Sequence, residues 1–376
     1  MLPRIGRMPA PANSEPDSLS AALEAVVHGA IAAAGGWLPF DRFMALALYQ
    51  PGLGYYANAG AKFGLWPGSG SDFVTAPELS PLFGRALAVQ LGQALAACEG
   101  HAIIEFGAGS GALAEQLLDA LGDRVQHYQI VDLSGTLRER QAARLARFAP
   151  KVQWLDRLPE AIHGVVVGNE VLDAMPVQLL AFDGQRWSER GVATGADGAL
   201  VFEDRPTALR PPLDAPFVPG TVTEIHPQAE AFIASLAQRL QRGAAFFIDY
   251  GFPEAEYYLP QRRGGTLMCH RAHRADDDPL ADLGLKDITA HVNFSGVALA
   301  AQDAGLDVLG YATQGRFLLN CGLAAAMAQA DARERSAALK LVNEHEMGEL
   351  FKVLALARGC HFDPLGFAAG DRTHTL

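Results

Sequence analysis

The chain has 376 residues, of which 49% are hydrophobic and 19% charged, a composition typical of a globular protein with a substantial core. The formal net charge of −12 argues against a nucleic acid as the main partner, because binding a phosphate backbone requires clustered Lys and Arg; it favours a basic or neutral protein segment or a small molecule. No apolar run reaches the ~18 residues that a membrane span needs, so we expect no membrane insertion.

The N-terminal segment predicts a leader followed by two helices. Residues 1–17 contain two arginines but no hydrophobic stretch, which is typical of a disordered leader. Between Ser18 and Ala34, apolar residues recur on one helical face and a Gly-Gly pair follows, so we expect a helix there. A second short helix is expected at residues 39–48.

Residues 49–76 are rich in glycine and aromatic side chains and show no periodicity. A long irregular segment in a compact protein is usually functional or disordered, and the aromatic content argues against disorder. Two interpretations remain, a packed connecting loop or a lid over a site. Ser80 and Pro81 then predict the N-cap and first turn of a helix that runs to about Ala97. We expect residues 18–97 to form an N-terminal extension that packs over the ligand site.

From His101 onward, short apolar runs alternate with helical patterns, which predicts a mostly parallel sheet in an α/β core at 98–358. The predicted strands are 101–106, 128–132, 152–155, 164–168, 244–248, 306–312 and 350–357. The predicted helices are 110–121, 135–148, 227–242, 293–304 and a helical region at 316–345. Two segments rich in Pro, Gly and charge, 177–223 and 253–290, are expected to be insertions that form a substrate-binding subdomain, and 359–376 a C-terminal tail.

A glycine-rich turn follows the first strand of this core. Gly107, Gly109 and Gly111 occupy every second position, as expected where the backbone turns sharply and contacts a ligand. Glu105 precedes them, and a carboxylate there would repel a phosphate and suit a cation. Asp132 ends the next strand, where an acid would bind ribose hydroxyls. This spacing resembles the signature of class I S-adenosylmethionine-dependent methyltransferases; a nicotinamide- or flavin-binding fold is the alternative.

Further polar residues follow the fourth and fifth strands. Ligands of open α/β sheets bind outside the carboxyl ends of the strands, so Asn169, Glu170 and Asp173 are candidate site residues. Two acids three residues apart could bind a cationic nucleophile such as a guanidinium; the alternative is that Asn169 or Asp173 caps a turn. Asp249 and Tyr250 could likewise contact substrate or form a turn.

The cysteines and histidines give weaker signals. The four cysteines form no C-x-x-C pair and no disulfide framework, which favours a reducing compartment. Cys269, His270 and His273 lack the repeated ligand pairs of a zinc site, so we expect loop histidines and no metal. His291 could be a base or orienting residue of the site, or a capping residue of the next helix.

Six motifs, in order between residues 19 and 358, resemble those of the MidA-like family. They are GLGYY (Gly52–Tyr56), DFVTAPELSPLFG (Asp72–Gly84), EFGAGSG (Glu105–Gly111), NEVLDAMPV (Asn169–Val177), IDYGF (Ile248–Phe252) and DITAHVNFS (Asp287–Ser295). The resemblance implies a class I methyltransferase (Rossmann-like) fold with a seven-stranded sheet and S-adenosylmethionine as cofactor. The family includes a mitochondrial complex I assembly factor that acts as a protein arginine methyltransferase. Asp132 departs from the glutamate that many relatives have, and should still reach a ribose.

The motifs and the resemblance together predict the site. The expected cofactor-binding residues are Thr75, Pro77, Glu78, Glu105, Gly107, Ala108, Gly109, Gly111, Asp132, Leu133 and Asn169. The expected catalytic residues are Asn169, Glu170, Asp173 and His291. Carboxylates beside an attacking guanidinium would orient it and stabilise its charge.

The resemblance also bears on substrate and setting. It implies methylation of an arginine in a protein, such as a subunit of complex I, and a role in assembly of that respiratory complex. A methyltransferase-fold assembly chaperone without catalysis and a small-molecule methyltransferase are the alternatives. The alanine-rich composition favours a bacterial cytoplasmic protein, with the mitochondrial matrix as the setting of a eukaryotic member, and a homodimer is considered as well.

Overall fold

The computed structural model describes residues 15–58, 74–132, 135–271 and 274–376. Within these ranges the α-helices, from α1 to α13, are Glu15–Ala33, Phe40–Tyr49, Ala76–Leu79, Pro81–Ala97, Ala112–Leu121, Gly135–Leu145, Pro227–Arg239, Glu254–Tyr257, Phe294–Asp303, Gln314–Asn320, Leu323–Gln329, Ala332–Val342 and Met347–Leu350. The 3-10 helices are Gly122–Arg124, Ala146–Phe148, Leu365–Phe367 and Thr373–Thr375. Residues 1–14 of the predicted leader and 59–73 of the predicted loop or lid lie outside the described residues.

The strands of the described ranges form three sheets. From β1 to β16 they are Trp37–Pro39, Ala102–Phe106, His127–Val131, Val152–Leu155, Ile162–Asn169, Gln178–Phe182, Trp187–Thr194, Leu200–Pro206, Thr221–Ile225, Leu240–Phe252, Met268–Arg271, Arg274–Asp276, Asp287–Thr289, Val292–Asn293, Asp307–Thr313 and Phe351–Arg358. The central sheet has the order β15-β16-β10-β5-β2-β3-β4, and β14 continues it beside β10.

The central sheet confirms the predicted fold class. Strands β10, β5, β2, β3 and β4 are parallel neighbours, whereas β16 is antiparallel to both β10 and β15. This arrangement, with the last strand inserted antiparallel, is that of class I methyltransferases. Helices α4, α5 and α10 to α12 cover one face of the sheet, and α7 and α9 cover the other. The carboxyl ends of the parallel strands therefore meet at one edge, where ligands of open α/β sheets bind.

A second core lies beside the central sheet. Helices α1 and α2 pack their apolar faces against strands of a five-stranded sheet, in which β1, β6, β7, β8 and β9 take part. The predicted insertion at 177–223 contributes four of these strands, and the insertion at 253–290 contributes α8 and the hairpin β11-β12 with β13. Both insertions therefore contain regular strands. This second core positions α2 and β13 next to the edge of the central sheet.

Strand β10 is longer than the sequence pattern predicts. The pattern ends the preceding helix at 242 and places the strand at 244–248, but the helix ends at Arg239 and β10 runs from Leu240 to Phe252. The reason is its pairing, since β5 starts to bond at Leu240, while β16 and β14 keep the chain extended through Phe252. Asp249 and Tyr250 are consequently strand residues and not part of a turn.

The cysteine expectation is wrong for one pair. Cys98, after α4, and Cys360, after β16, form a disulfide, and their Cα atoms are 5.3 Å apart. The pair is separated by 262 residues, so only the tertiary fold brings the two cysteines together and their spacing carries no signal. Cys269 and Cys321 are free and buried.

In the described parts of the chain, none of the helices combines the length and apolar character of a membrane span.

Gly164 permits the close packing of β5 against β2. Its φ is +144°, and a Cβ atom would lie 2.3 Å from the carbonyl oxygen of Ala102. We expect Gly164→Ala to lower the free energy of unfolding by about 2–4 kcal/mol, because backbone atoms of two strands would have to separate. Denaturant unfolding measures this effect. Gly198→Ala, which also has positive φ (+86°) but open space around the Cβ position, isolates the conformational cost. Equal losses in the two variants would contradict this packing argument.

Candidate active site

A cavity of about 930 Å³ opens at the carboxyl ends of β2, β3, β5 and β10. Its wall includes the glycine-rich turn after β2, the end of β3 and the segment after β5. Side chains of α2, of the hairpin β11-β12 and of β13 complete the wall. Of the predicted site residues, those that line it are Thr75, Pro77, Glu105, Gly107, Ala108, Gly109, Asp132, Asn169, Glu170, Asp173 and His291.

Two predicted residues of the described chain, Gly111 and Glu78, are not part of this wall. Gly111 lies behind it, at the N-terminus of α5, where its Cβ position is 3.6 Å from Gln141 of α6. Glu78 accepts hydrogen bonds from Ser110 and, at 3.1 Å, from the Arg144 guanidinium. Leu133 lies outside the described residues. Glu78 and Arg144 therefore fasten α3 to the glycine-rich turn.

The glycine-rich turn adopts a conformation that other residues rarely accept. Gly107, Gly109 and Gly111 have φ values of +60°, +54° and +81°. The amide of Gly107 donates to the carbonyl of Val131 at 3.0 Å, so the turn is joined to the end of β3. A Cβ atom on Gly107 would lie 3.2 Å from the side chain of Val171. Bare backbone thus forms the cavity wall here, and a ligand can approach it closely.

Gln141 of α6 links the glycine-rich turn to the side chain of Asp132. Its Nε2 donates to the carbonyl of Gly109 at 2.9 Å and to Oδ2 of Asp132 at 2.7 Å, while its Oε1 accepts from Trp154 at 2.8 Å. The carbonyl of Asp132 accepts from Arg138. Sequence reasoning missed Gln141, because a buried glutamine inside an amphipathic helix has no motif of its own.

Glu105 is a buried carboxyl group at the floor of the cavity. Tyr128 of β3 donates its hydroxyl to Oε2 of Glu105 at 2.6 Å. Burial is the main cause that raises the pKa of Glu105 to about 8, and the nearby Asp132 charge adds to it. A cation in the cavity would lower this pKa and favour the ionised form, in keeping with the prediction that this position suits a cation.

Glu170 and Asp173 lie on a tight turn after β5. Glu170 has φ +54°, which is unusual for a residue with a side chain and is often found at functional sites. Oδ2 of Asp249 accepts three backbone hydrogen bonds from this turn, at 3.1 Å from Val171, 2.9 Å from Leu172 and 3.3 Å from Asp173. Asp249 is therefore the anchor of the turn. Asp249 thus caps the turn, whereas Oδ1 of Asn169 accepts no hydrogen bond among the described residues.

Each carboxylate of this turn has one oxygen that accepts a hydrogen bond from a neighbouring side chain. Asn169 donates to Oε1 of Glu170 at 2.9 Å, and Tyr250 donates its hydroxyl to Oδ2 of Asp173. Oδ1 of Asp173 and Oδ1 of Asn169 are buried without a hydrogen-bond partner among the described residues. Such atoms are costly to leave unsatisfied in a folded protein, which indicates a site that a hydrogen-bond donor can complete.

The turn is enclosed in a cluster of acids. Burial, followed by the charge of Asp173, raises the pKa of Glu170 to about 8. Burial raises the pKa of Asp173 to about 6, against the opposing effect of the Tyr250 hydrogen bond. Burial and the charges of Asp173 and Glu170 hold the pKa of Asp249 well above its usual range. Removing these carboxyl groups from water costs free energy, and a bound cation would offset that cost by stabilising their ionised forms.

Two tyrosines of the N-terminal extension lie opposite the turn. Tyr49 of α2 donates its hydroxyl to the carbonyl of Ala174 at 2.8 Å, and Tyr56 donates to both carboxylate oxygens of Asp287 at 2.9 and 2.8 Å. Their rings stack with centroids 5.6 Å apart. Sequence reasoning noted these aromatics only as loop content, since nothing local reveals that they contact residues more than 100 positions away in the chain.

His291 lies at the cavity wall as an uncharged ring. It packs between Tyr250, at 5.0 Å between centroids, and the parallel ring of Phe252, at 5.2 Å. Burial and then the Arg262 and Lys352 charges lower its pKa to about 4, and Nδ1 has no partner in the described structure. The side chain that caps α9 is Asn293. The expectation of a loop is wrong for His270, which lies in strand β11 because it pairs with β13, and which also lines the cavity. Cys269 is buried in the same strand, and His273 lies outside the described residues.

The charge of the cavity wall is one-sided. In the described residues the wall contains five acids and neither Lys nor Arg; the acids are Glu105, Asp132, Glu170, Asp173 and Asp287. The described ranges also contain no group of three or more His, Cys, Asp or Glu side chains arranged to hold a metal ion. The site is thus suited to organic cations bound against apolar and carboxylate surfaces.

Comparisons with known proteins agree with this chemistry. Residues 83–312 match the model of a family described as putative S-adenosyl-L-methionine-dependent methyltransferases. The chain is 27% identical over 373 residues to the mitochondrial protein arginine methyltransferase NDUFAF7 homolog of Drosophila melanogaster, covering 86% of this chain and 82% of that protein. It is 26% identical to the mitochondrial protein arginine methyltransferase NDUFAF7 of Danio rerio, with 86% and 84% coverage.

Two solved structures from Burkholderia thailandensis are also similar. One was crystallised with S-adenosyl-homocysteine; it is 50% identical, superposes with a TM-score of 0.93 and covers 98% of this chain and 100% of that one. The other is a native structure of an uncharacterized protein, 49% identical with a TM-score of 0.89 and the same coverage.

Proposed function

The chain belongs to the family of putative S-adenosyl-L-methionine-dependent methyltransferases, and we propose that it methylates the guanidinium group of an arginine in a protein. The resemblance to the MidA-like family is confirmed, as is the expected cofactor, S-adenosylmethionine. The observation that carries the choice of acceptor is the acidic turn after β5, with its unpartnered Asp173 oxygen. Curated relatives named protein arginine methyltransferases, about one quarter identical, support the same choice.

The cavity residues fit the cofactor. When bound, it supplies a methyl group on a positively charged sulfur. Gly107 and Gly109 would hold it through bare backbone, and Asp132, fixed by Gln141, would accept from ribose hydroxyls. Glu105 and Asn169 would face its cationic part, where Asn169 has an unpartnered oxygen. These roles are proposals that rest on the position of each residue in the cavity wall.

The acceptor arginine would bind against Glu170 and Asp173. A guanidinium presents N–H groups in a plane, and a pair of carboxylates can hold this plane in one orientation by charge-assisted hydrogen bonds. Tyr250 fixes the Asp173 carboxylate, and Asp249 fixes the backbone of the turn. Holding the attacking nitrogen in line with the methyl group accounts for much of the rate increase. The nitrogen that gains the methyl loses a proton, which one of these carboxylates accepts.

The raised pKa values predict a pH dependence of the reaction. Asp173, with a pKa of about 6, and Glu170, with a pKa of about 8, are protonated at lower pH and ionised at higher pH. Because the neutral acids bind a guanidinium weakly, we expect kcat/KM to rise as the pH increases from about 6 to about 8. With saturating cofactor, which compensates for the titration of Glu105, Glu170→Gln should reduce the upper part of this rise. A profile that is flat in this range in the unaltered protein would contradict the role of these acids.

Transfer of a labelled methyl group tests the proposal. The purified chain is incubated with methyl-labelled S-adenosylmethionine and a lysate of cells that lack its gene, so that the acceptor is unmethylated. We expect one or a few proteins to be labelled. A matched reaction with the Glu170→Gln/Asp173→Asn double variant, checked for cofactor binding, serves as control. Absence of label in protein would contradict the proposal.

The apolar share of the cavity wall favours a small-molecule acceptor as the second candidate. Phe106, Val171, Met175 and Phe232 line the same cavity as the acids. In the labelling experiment, this candidate predicts label in the low-molecular-weight fraction and none in protein. A chaperone role without catalysis predicts that the double variant still supports the protein's function in cells.

For the setting we propose a role in assembly of a respiratory complex I, with one of its subunits as substrate, in a bacterial cytoplasm. The motif resemblance supports the role in complex I assembly, and the alanine-rich composition and the two similar structures from Burkholderia thailandensis support the bacterial setting. Comparison of complex I activity in cells with and without the gene tests this role, and unchanged activity would count against it.

A further inference from the structure

A second depression lies next to the catalytic cavity. This groove, of about 520 Å³, is lined by Asp41, Gln178, Pro227, Gln228, Ala231, Phe232 and Ser235. Gln228 and Phe232 of α7 also line the catalytic cavity, so the groove and the cavity share a wall. The groove therefore lies directly beside the cavity, on the other side of Gln228 and Phe232.

One side of the groove is a regular helix surface. Gln228, Ala231 and Ser235 are exposed and recur at helical spacing along α7. The Ser235 hydroxyl donates to the carbonyl of Ala231 at 2.8 Å, so it is already engaged. The residues of α7 that line the groove carry no charge, so an extended polypeptide could lie along this side without meeting a like charge.

The other side carries negative charge. Asp41, in the first turn of α2, is half-buried, and its carboxylate accepts from the adjacent amide of Arg42 at 2.8 Å. Glu189 of β7 is paired with Leu180 of β6, two residues from Gln178, so Gln178 and Glu189 lie on one face of the sheet. Among the described residues, neither acid has a Lys or Arg nitrogen within 4 Å. Arg42 follows Asp41 in the chain, and Arg205, which lies opposite Glu189 in β8, is paired with Glu203. Burial raises the pKa of both carboxyl groups. The charge of the nearby Asp41 raises the pKa of Glu189 further.

We propose that this groove binds the polypeptide that flanks the acceptor arginine, and that a second basic side chain of that polypeptide binds at Asp41 and Glu189. The inference rests on the proposed function and specifies its substrate, a segment with two basic residues at a fixed separation. A small acceptor would be held by the catalytic cavity alone. The groove, adjacent to the cavity and acidic on one side, gives a basic polypeptide a binding surface that such an acceptor does not need.

Binding of capped Gly/Ser peptides to the full chain with S-adenosyl-homocysteine tests the inference. One peptide carries a single arginine, and a series adds one lysine at each position before or after it. We expect one placement of the lysine to strengthen binding about tenfold. Asp41→Asn and Ala231→Arg should each abolish this gain. Ala231→Arg places a cation on the exposed surface of α7 and leaves the core unchanged, and Gln238→Arg, on the same helix outside the groove, is the matched control.

The outcomes separate the two proposals. A gain that disappears in both groove variants and persists in Gln238→Arg supports the groove. If all lysine placements bind like the peptide with arginine alone, or the gain persists in the groove variants, the groove inference is wrong while the proposed function stands. If no arginine peptide binds or is methylated, the proposed function itself fails, and the groove inference fails with it.

Discussion

Replacing Asp173 with asparagine should reduce kcat/KM for methyl transfer by roughly 100-fold or more, because truncating one partner of a buried charged hydrogen bond costs about 3 kcal/mol. The substitution keeps the shape of the side chain and an oxygen atom, but removes the charge that would hold the guanidinium. It also changes the group that receives the Tyr250 hydroxyl. Steady-state kinetics with labelled cofactor and an accepted protein or peptide measures the effect.

The control is Asp303→Asn, which changes an exposed acid at the end of α9. It should leave the rate unchanged. Calorimetry should show that Asp173→Asn still binds the cofactor, since Asp173 is assigned to the acceptor and not to the cofactor. If the variant keeps its transfer rate, or loses cofactor binding to the same extent as transfer, the assignment of Asp173 to the guanidinium is wrong.

Replacing Gly109 with valine should weaken cofactor binding by roughly 100-fold, a loss of about 3 kcal/mol in binding free energy, because the side chain would displace the cofactor. Gly109 has φ +54° and lies in the cavity wall, with its carbonyl fixed by Gln141. A branched side chain is strained at positive φ and would occupy the space between backbone and cofactor. Calorimetric titration with S-adenosylmethionine measures the loss.

Gly322→Val is the matched control for this variant. Gly322 also has a left-handed conformation, with φ +85°, but its Cβ position is open and it lies outside the cavity wall. We expect a similar loss of conformational stability and full cofactor binding. Equal binding by Gly109→Val and the unaltered protein would mean that the glycine-rich turn does not contact the cofactor.

The fold was predictable where side-chain patterns are local. Strand β2, with its buried run and the following glycines, and the amphipathic α5 both lie close to their predicted positions because periodicity and φ requirements act within a few residues. The end of β10 was not predictable, since its partners β14 and β16 decide how far it extends. The strands of the first insertion were also missed; they gain a partner in β1, more than 100 residues earlier.

The same distinction applies to the site. Glu170 and Asp173 were found because two acids after a buried strand form a sequence signal, and both line the cavity. Asp249 was found as a candidate, but its role as anchor of the turn depends on contacts across 76 to 78 residues. Tyr49 and Gln141 carry no local signal. Their positions follow from the packing of whole elements, which a single sequence does not reveal.

Identification of the labelled residue tests the central claim most directly. Protein labelled by the purified chain with methyl-labelled S-adenosylmethionine is hydrolysed to amino acids, and the products are separated against methylated standards. The acidic turn of Glu170 and Asp173 predicts that the label elutes with an ω-N-methylated arginine. Label in methylated lysine, histidine or a carboxyl ester, with none in arginine, would contradict the assignment of this cavity to a guanidinium.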